Sequence, residues 1–335
     1  MNEFIKLSPK RNAEITILLS IFNGAAYLRE QLNSIVEQTY KDWILLVRDD
    51  GSEDNSVSII YDYQAMYPDR IIIVPTTTRL GASLSFGSLL EVVDSPYVML
   101  CDQDDVWMRD KIDVTLEAMK TAECEYPSQP ILVHSDLIVT DSKLQPINRS
   151  FWNFQNINQN AARMNQFLIQ NHVTGCTMML NRKLVAASVP IPQEAMMHDW
   201  WIALTCAAFG KIVVVNKATM MYRQHDKNVV GAKSYAWGSY WKRLDKIKES
   251  ETANLSIIRQ AEAFKRRHLD ALSQPNYDAL NAFCQLLQTS RFTRVSRLLR
   301  FRILKHGFVR NVFFILMMLV FQKSRHQRSA SGSEI

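Results

Sequence analysis

Short unbroken apolar runs alternate along the first third of the chain with stretches whose apolar residues recur every three or four positions. Residues 15–22 form a continuous apolar run that stops at Asn23-Gly24, and Leu28, Leu32, Ile35 and Val36 follow at helical spacing. Residues 43–47 repeat the run. Arg48-Asp-Asp-Gly-Ser-Glu-Asp-Asn55 then supplies turn residues and capping candidates before Val57, Ile60 and Tyr61 resume the helical period. Residues 71–74 predict a third strand, 84–93 a third helix, and 97–101, set off by Ser95-Pro96, a fourth strand. Strands alternating with helices predict an α/β fold, a mostly parallel sheet with helices on its faces. Further along, 130–136 runs on through 137–141 as a strand or hairpin, an apolar helix over 202–209 stops at Gly210, and 211–215 returns as a strand.

The run at 97–101 stops at three carboxylates, Asp102, Asp104 and Asp105. A buried strand that ends this way delivers its acids to the sheet edge where ligands bind in open α/β folds. Hard divalent ions such as Mg²⁺ and Mn²⁺ take oxygen ligands, so an Asp-x-Asp pair can clamp a diphosphate through a metal. A solvated acidic loop is the competing reading of an Asp-x-Asp alone. Asp49 and Asp50 end the second run as Asp102 ends the fourth, so both groups can converge on one edge; Asp49 also reads as a plain helix cap. The regular ligand spacing of an EF-hand is missing from 50–54. So are a Gly-x-Gly-x-x-Gly after the first strand and a Gly-Lys-Ser/Thr loop. His198-Asp-Trp-Trp201 opens the 202–209 helix and puts Asp199 at or near its N-terminus. There it is either a simple cap or a carboxylate kept ionised by the helix dipole. His172 reads as a structural histidine.

At 335 residues, 47% hydrophobic and 21% charged, the chain can build one large domain or a domain plus an appendage. Its five cysteines are scattered and lack a Cys-x-x-Cys pair, which argues against a disulfide framework or zinc knuckle and fits a reducing cytoplasm. Residues 1–10 lack the apolar core of a signal peptide, so export is not expected. The net charge of +6 is concentrated in the tail, because no Asp or Glu occurs between Asp278 and Glu334. Composition shifts from Tyr235 onward, through Trp237, Tyr240 and Trp241, to a helical region rich in Lys, Arg and Glu. Arg291, Arg294, Arg297 and Arg300 interleave with Phe292, Val295, Leu298 and Leu299 as a basic amphipathic helix suited to an anionic membrane surface. The bulky aliphatics disfavour nucleic acid as the partner. Residues 312–321 are apolar but only half the length of a bilayer span, which takes ~20 residues. Dipping into a membrane is favoured there over docking on the catalytic domain or a dimer contact.

Leu19-Ser-Ile-Phe-Asn-Gly24, Val47-Arg-Asp-Asp-Gly-Ser52 and Leu100-Cys-Asp-Gln-Asp-Asp105 occur in order, and with them the chain resembles glycosyltransferase family 2 over roughly residues 12–230. The resemblance implies a GT-A fold, a Rossmann-like sheet that binds a nucleotide-sugar. With the composition shift it suggests a catalytic domain over 12–232 and a helical, basic, membrane-associating region over 233–335. Matched position by position, it implies that Asp50 contacts the pyrimidine ring, Asp102 the ribose, and Asp104 a Mg²⁺ or Mn²⁺ ion, with Asp105 assisting the metal or supporting the loop. An acid at the start of the helix after residue 198 is the general base in this family, which singles out Asp199; His198 stands where many members have Glu. Residues 221–225 match the stretch that contacts the donor diphosphate, so Arg223 is implied as a nucleotide contact and His225 as a metal contact, a surface histidine being the alternative. Residues 171–180 match a Gly-containing strand beside the acceptor site, with Gly175 leaving room for ligand. The Asn- and Gln-rich stretch 151–170 is either an acceptor-side loop and helix or a solvated connector.

His198-Asp-Trp-Trp201, Tyr222-Arg-Gln-His225 and Asn228-Val-Val-Gly231 look most like the bacterial rhamnosyltransferase branch. That implies dTDP-L-rhamnose as donor. A 6-deoxysugar prefers an apolar contact near its methyl group, which Trp200, Trp201 and their Met-rich neighbourhood would provide if they face the donor. It implies a lipid-linked cell-surface polysaccharide precursor as acceptor, met at the cytoplasmic face of the cell membrane. The expectation is an inverting, metal-dependent sugar transferase. Its rivals are a UDP-hexose-dependent member of the same family and a nucleotide-sugar-binding protein without activity, against which Asp199 argues.

Overall fold

The computed structural model describes residues 13–225 and 247–320, without the side chains of 247–253 and 320. The motif at 228–231, the aromatic cluster at 235–241 and the expected boundary at 232 lie outside the described residues. Two compact units divide the described chain, one built from 13–162 and 171–225, the other from 163–170 and 247–320.

The first unit is the α/β fold that the apolar runs predict. Its elements are β1 (Ile15–Ile21), α1 (Leu28–Val36), β2 (Trp43–Asp49), α2 (Ser56–Met66), β3 (Ile71–Ile73), α3 (Ala82–Val92), β4 (Tyr97–Cys101), β5 (Val106–Trp107), α4 (Lys111–Glu125), β6 (Ile131–Thr140), β7 (Pro146–Asn148), α5 (Phe151–Gln155), β8 (Met179–Asn181), α7 (Arg182–Ser188), α8 (His198–Phe209) and β9 (Lys211–Arg223), with α6 (Met164–Phe167) belonging to the second unit. The sheet runs β3-β2-β1-β4-β8-β6-β9-β5, with β7 hairpinned onto β6. The β3/β2/β1/β4 block and the β6/β9 pair are parallel, while β8 lies antiparallel between β4 and β6. Helical crossovers make the first block parallel, as βαβ connections must. Ile15, Ile17, Leu19, Val47 and Met99 are buried with Leu28, Leu32 and Ile35 of α1 in one core.

Several boundaries differ from the sequence expectation for identifiable reasons. Helix α3 starts at Ala82, two residues early, because Gly81 takes φ 76 and turns the chain. Residues 171–180 do not form one strand: a 3-10 turn at Gly175–Thr177 precedes the short β8. The runs at 211–215 and 221–225 belong largely to one strand of 13 residues, β9, whose register against β6 shifts near Asp136. Helix α8 stops at Gly210 as expected, and the position needs glycine because a Cβ there would sit 2.0 Å from the Pro130 carbonyl oxygen.

In the second unit, helices at Ile247–His268, Gln274–Cys284, Arg291–Arg300 and Phe308–Val320 join α6 around Phe167, Phe264, Leu280, Leu298 and Met318. Asn165 Nδ2 donates to the carbonyls of Phe301 (2.9 Å) and Arg302 (3.1 Å), and the His306 amide donates to Gln170 Oε1 at 2.9 Å. These bonds tie 163–170 to the C-terminal helices, so the stretch 151–170 is split between the two units. Among the described residues no helix is long and apolar enough to cross a membrane.

Gly210→Ala is expected to destabilise the first unit by ~1–3 kcal/mol, since the obstructing atom is backbone and cannot rotate away. Urea denaturation followed by tryptophan fluorescence reads the change.

Candidate active site

Parallel register builds the site. Ile21 of β1 lies opposite Asp49 of β2, and Leu19 lies opposite Cys101 of β4. The three segments that follow, 22–24, 50–52 and 102–105, therefore leave the sheet side by side. Gln103, the middle residue of Asp-x-Asp, clips two of them together: its Oε1 accepts from the Phe22 amide at 2.8 Å and its Nε2 donates to the Phe22 carbonyl at 3.0 Å. Gly24 makes room for that clip, because a Cβ there would lie 2.3 Å from Gln103 Oε1.

Asp102 and Asp104 are partly exposed and Asp105 is fully buried. Burial, then the charges of Asp104 and Asp199, push the Asp102 carboxyl up to about 7. Burial and the same crowding hold Asp105 well above the usual carboxylate range. Asp105 Oδ1 accepts from the Arg223 amide at 3.1 Å, while the buried Oδ2 has no strong donor, only the weak thiol of Cys176 close by. Ligand atoms of Asp102, Asp105 and Cys176 lie within 4.8 Å of one another. Asp104 Oδ2 lies 2.8 Å from His225 Nε2, and the His225 ring stacks on Tyr27 at 4.8 Å. Carboxylates that repel one another, with one buried oxygen short of a donor, fit a hard divalent cation. Beneath them lies Lys111, fully buried and lowered to about 8 by that burial, its ammonium donating to Thr219 Oγ1 at 3.1 Å.

Arg223 and Asp50 are engaged with protein partners. The Arg223 guanidinium is buried and donates to the carbonyls of Asp104 (2.8 Å) and Ser142 (2.7 Å) and to the Glu30 carboxylate; it also lies 4.5 Å from the Tyr27 ring centre. It braces the acidic loop from below. Asp50 accepts from the amides of Leu80 (2.8 Å) and Gly81 (2.7 Å) and pairs with Arg48, so it ties the start of α3 to the end of β2. Those donors outweigh burial and hold its carboxyl below the ordinary value. Asp49 caps its own turn through the amides of Gly51 and Ser52. At the same edge the Arg79 guanidinium lies 3.9 Å over the Phe22 ring, a pair that sequence patterns did not single out.

Asp199 lies in the first turn of α8. Its carboxylate accepts from the amides of Trp200 (2.6 Å) and Gly175 (3.2 Å). Burial raises it to about 6, with those bonds and the Asn171 side chain acting in the opposite sense. Gly175 leaves room for the protein itself, since a Cβ there would lie 3.2 Å from both Asp199 Cβ and His198 Nε2. His198 is buried, stacks on Phe86 at 4.2 Å and is lowered to about 3 by burial, so it is a neutral packing group. Trp201 is 0% exposed and donates to the Ser188 carbonyl at 2.9 Å. It is core and not a wall for a bound sugar, which corrects the sequence expectation. His172 is buried, as a structural histidine should be.

The family model for glycosyl transferase family 2 matches residues 16–188, just over half of the chain and all of the β1 to β4 edge. The chain belongs to that family. A relative, the dTDP-rhamnosyl transferase RfbG of Shigella flexneri, is 28% identical over 246 residues, covering 69% of this chain and 79% of the relative. Among solved structures, the mannosyltransferase PcManGT of Pyrobaculum calidifontis, in complex with GDP-Man and Mn²⁺, superposes with a TM-score of 0.51 at 16% identity. That match covers 96% of this chain and 84% of the other. TarS 1-349 of S. aureus, in complex with UDP, gives 0.50 at 16% identity, covering 83% and 73%. At such identities the superpositions speak for the fold, which is GT-A, and the chain is a family 2 glycosyltransferase.

Gly24→Ala should displace Gln103 and shift the acidic loop without unfolding the sheet. Misplacement of reacting groups by about 1 Å can lower turnover ~10²-fold, so initial rates and thermal melting measured together are expected to separate, with the rate falling far more than the stability.

Proposed function

We propose that this glycosyltransferase moves L-rhamnose, with inversion, from dTDP-L-rhamnose to a lipid-linked precursor of a cell-surface polysaccharide at the cytoplasmic face of the membrane. The observation that carries the catalytic part is the convergence on one sheet edge of the Asp102–Asp105 loop and Asp199, close enough that the Asp199 charge contributes to raising Asp102. The donor rests on the kinship with a dTDP-rhamnosyl transferase. The Phe22 ring and the Arg79 plane offer stacking surfaces for a pyrimidine. Asp102 serves the ribose, Asp50 the base through the loop it orders, and Arg223 the diphosphate through the loop it braces.

Asp104, with His225, would hold Mg²⁺ or Mn²⁺. When bound, the ion offsets negative charge on the departing diphosphate. The remaining chemistry belongs to the chain. Asp199 accepts the proton of an acceptor hydroxyl as that oxygen forms a bond to the anomeric carbon, and the bond from that carbon to the dTDP diphosphate breaks. A single displacement by one base needs no enzyme nucleophile and inverts the centre. The amides of Trp200 and Gly175 hold the carboxylate of Asp199 in place, and its value near 6 leaves it ionised at neutral pH yet basic enough to take a proton. Release of nucleoside diphosphate across a panel of nucleotide-sugars tests class and donor together. Preference for UDP-glucose in competition would replace the rhamnosyl reading with a UDP-hexose-dependent one, and absence of turnover with every donor would favour a binding protein.

Chelation is expected to abolish transfer and Mn²⁺ or Mg²⁺ to restore it, while Asp104→Ala stays folded and inactive; activity of that variant in metal-free buffer would sink the metal assignment.

Asp199→Asn should keep donor binding and lose ~10²- to 10⁴-fold in chemistry-limited turnover. Because the base works only when ionised, wild-type kcat/KM should fall as pH drops through about 6. Positive charge at the acidic loop would move that limb lower, and the variant should lack it.

A further inference from the structure

The described C-terminal helices leave large apolar side chains in solvent in a regular arrangement. On the Phe308–Val320 helix, Phe308 (82% exposed), Val312 (42%) and Leu316 (53%) recur every four residues, so they line one face of the helix. Phe314, Met317 and Met318 of the same helix are buried in the unit, so the stripe is not the face that packs. On the Arg291–Arg300 helix, Phe292 (85%) and Leu299 (52%) stand exposed seven residues apart. The two helices are joined, since Arg294 Nη1 donates to the Met318 carbonyl at 3.2 Å.

Arg294 is therefore not part of the basic surface that the every-third-residue arginines suggest. It is buried, and its Nε also donates to the Leu286 carbonyl at 3.0 Å. Arg291, Arg300 and Arg302 are exposed. No acidic residue between Asp278 and Glu334 offsets them. An apolar stripe without nearby cations would suit a second protein, and cations without the stripe would suit nucleic acid. Both together match a leaflet whose surface is anionic and whose interior is apolar. The Phe308–Val320 helix has 13 residues and at ~1.5 Å per residue is about 20 Å long, short of the ~30 Å hydrocarbon core. It can lie along a leaflet and cannot cross one.

We propose that Phe308, Val312 and Leu316, with Phe292 and Leu299 and the exposed Arg291, Arg300 and Arg302, form a docking surface for an anionic phospholipid leaflet. The apolar side chains enter the headgroup boundary and the guanidinium groups pair with lipid phosphates. The inference names the surface behind the membrane location proposed above, and its test is independent of the transfer reaction.

The test uses the full-length protein, floated with phosphatidylcholine vesicles with and without phosphatidylglycerol. Wild type should bind the phosphatidylglycerol vesicles, less so as salt rises. Phe308→Ser with Leu316→Ser should lower the partition coefficient ~tenfold or more. Arg300→Gln with Arg302→Gln should weaken binding to anionic vesicles alone and flatten the salt dependence. All these side chains are exposed, so circular dichroism and turnover on a soluble acceptor analogue should match wild type. Equal vesicle binding by wild type and the serine variant overturns the proposal. So does failure of wild type to bind, binding to duplex DNA in place of vesicles, or a serine variant that converts a dimer to a monomer without losing vesicle binding. Loss of turnover with every donor would leave the docking result intact and strike only the catalytic reading.

Discussion

Repulsion among carboxylates held at one sheet edge is the constraint on which this protein depends. Asp102, Asp104 and Asp105 leave β4 within four residues, and Asp199 adds its charge from α8. Left to themselves such groups would spread into water or take up protons. The fold prevents the first. Gln103 clips the loop to the end of β1, the Arg223 amide holds Asp105, and the Arg223 side chain braces the Asp104 carbonyl. Lys111 contributes a buried positive charge that faces Asp105 from α4. A site built in this way crowds like charges at one edge, an arrangement that a hard divalent cation fits.

The neighbourhood of Asp199 obeys a different constraint, close packing. Gly175 can approach α8 only because it has no side chain, and its amide then becomes one of the donors that keep Asp199 in place. His198 and Trp201 flank Asp199 in sequence yet pack inward, one on Phe86 and the other against the Ser188 carbonyl. Burial therefore lifts the Asp199 carboxyl without excluding it from solvent, while its two neighbours hold the helix start rigid. Within this motif Asp199 alone keeps a partly exposed carboxylate, while His198 and Trp201 are buried.

The second unit follows a third logic. Its core is ordinary, built from Phe167, Phe264, Leu280 and Leu298, but its last two helices carry more exposed apolar surface than a freely soluble unit needs. Arg294 shows how misleading a helical period can be. Its place in the every-third-residue series resembles that of Arg291 and Arg300, yet it closes hydrogen bonds inside the unit.

The strands of the first half, their order along the chain and the acids at their ends were legible in sequence. Hydrophobic period and turn chemistry are local properties, and a buried parallel strand shows itself as an unbroken apolar run. The start of α8 and the position of Asp199 in its first turn were legible for the same reason. Residues that act through distant partners were not. Gln103 meets Phe22, Lys111 meets Thr219, and Arg223 meets Glu30 and Ser142, all separated by at least 81 positions, and none has a local signature. Trp201 read as a candidate sugar contact because its type suits one, whereas burial decides its role. Sequence alone determined which groups reach the edge of the sheet. Only tertiary structure decided which of them remain open to a ligand, because that depends on which donors, rings and backbone atoms the fold brings against each one.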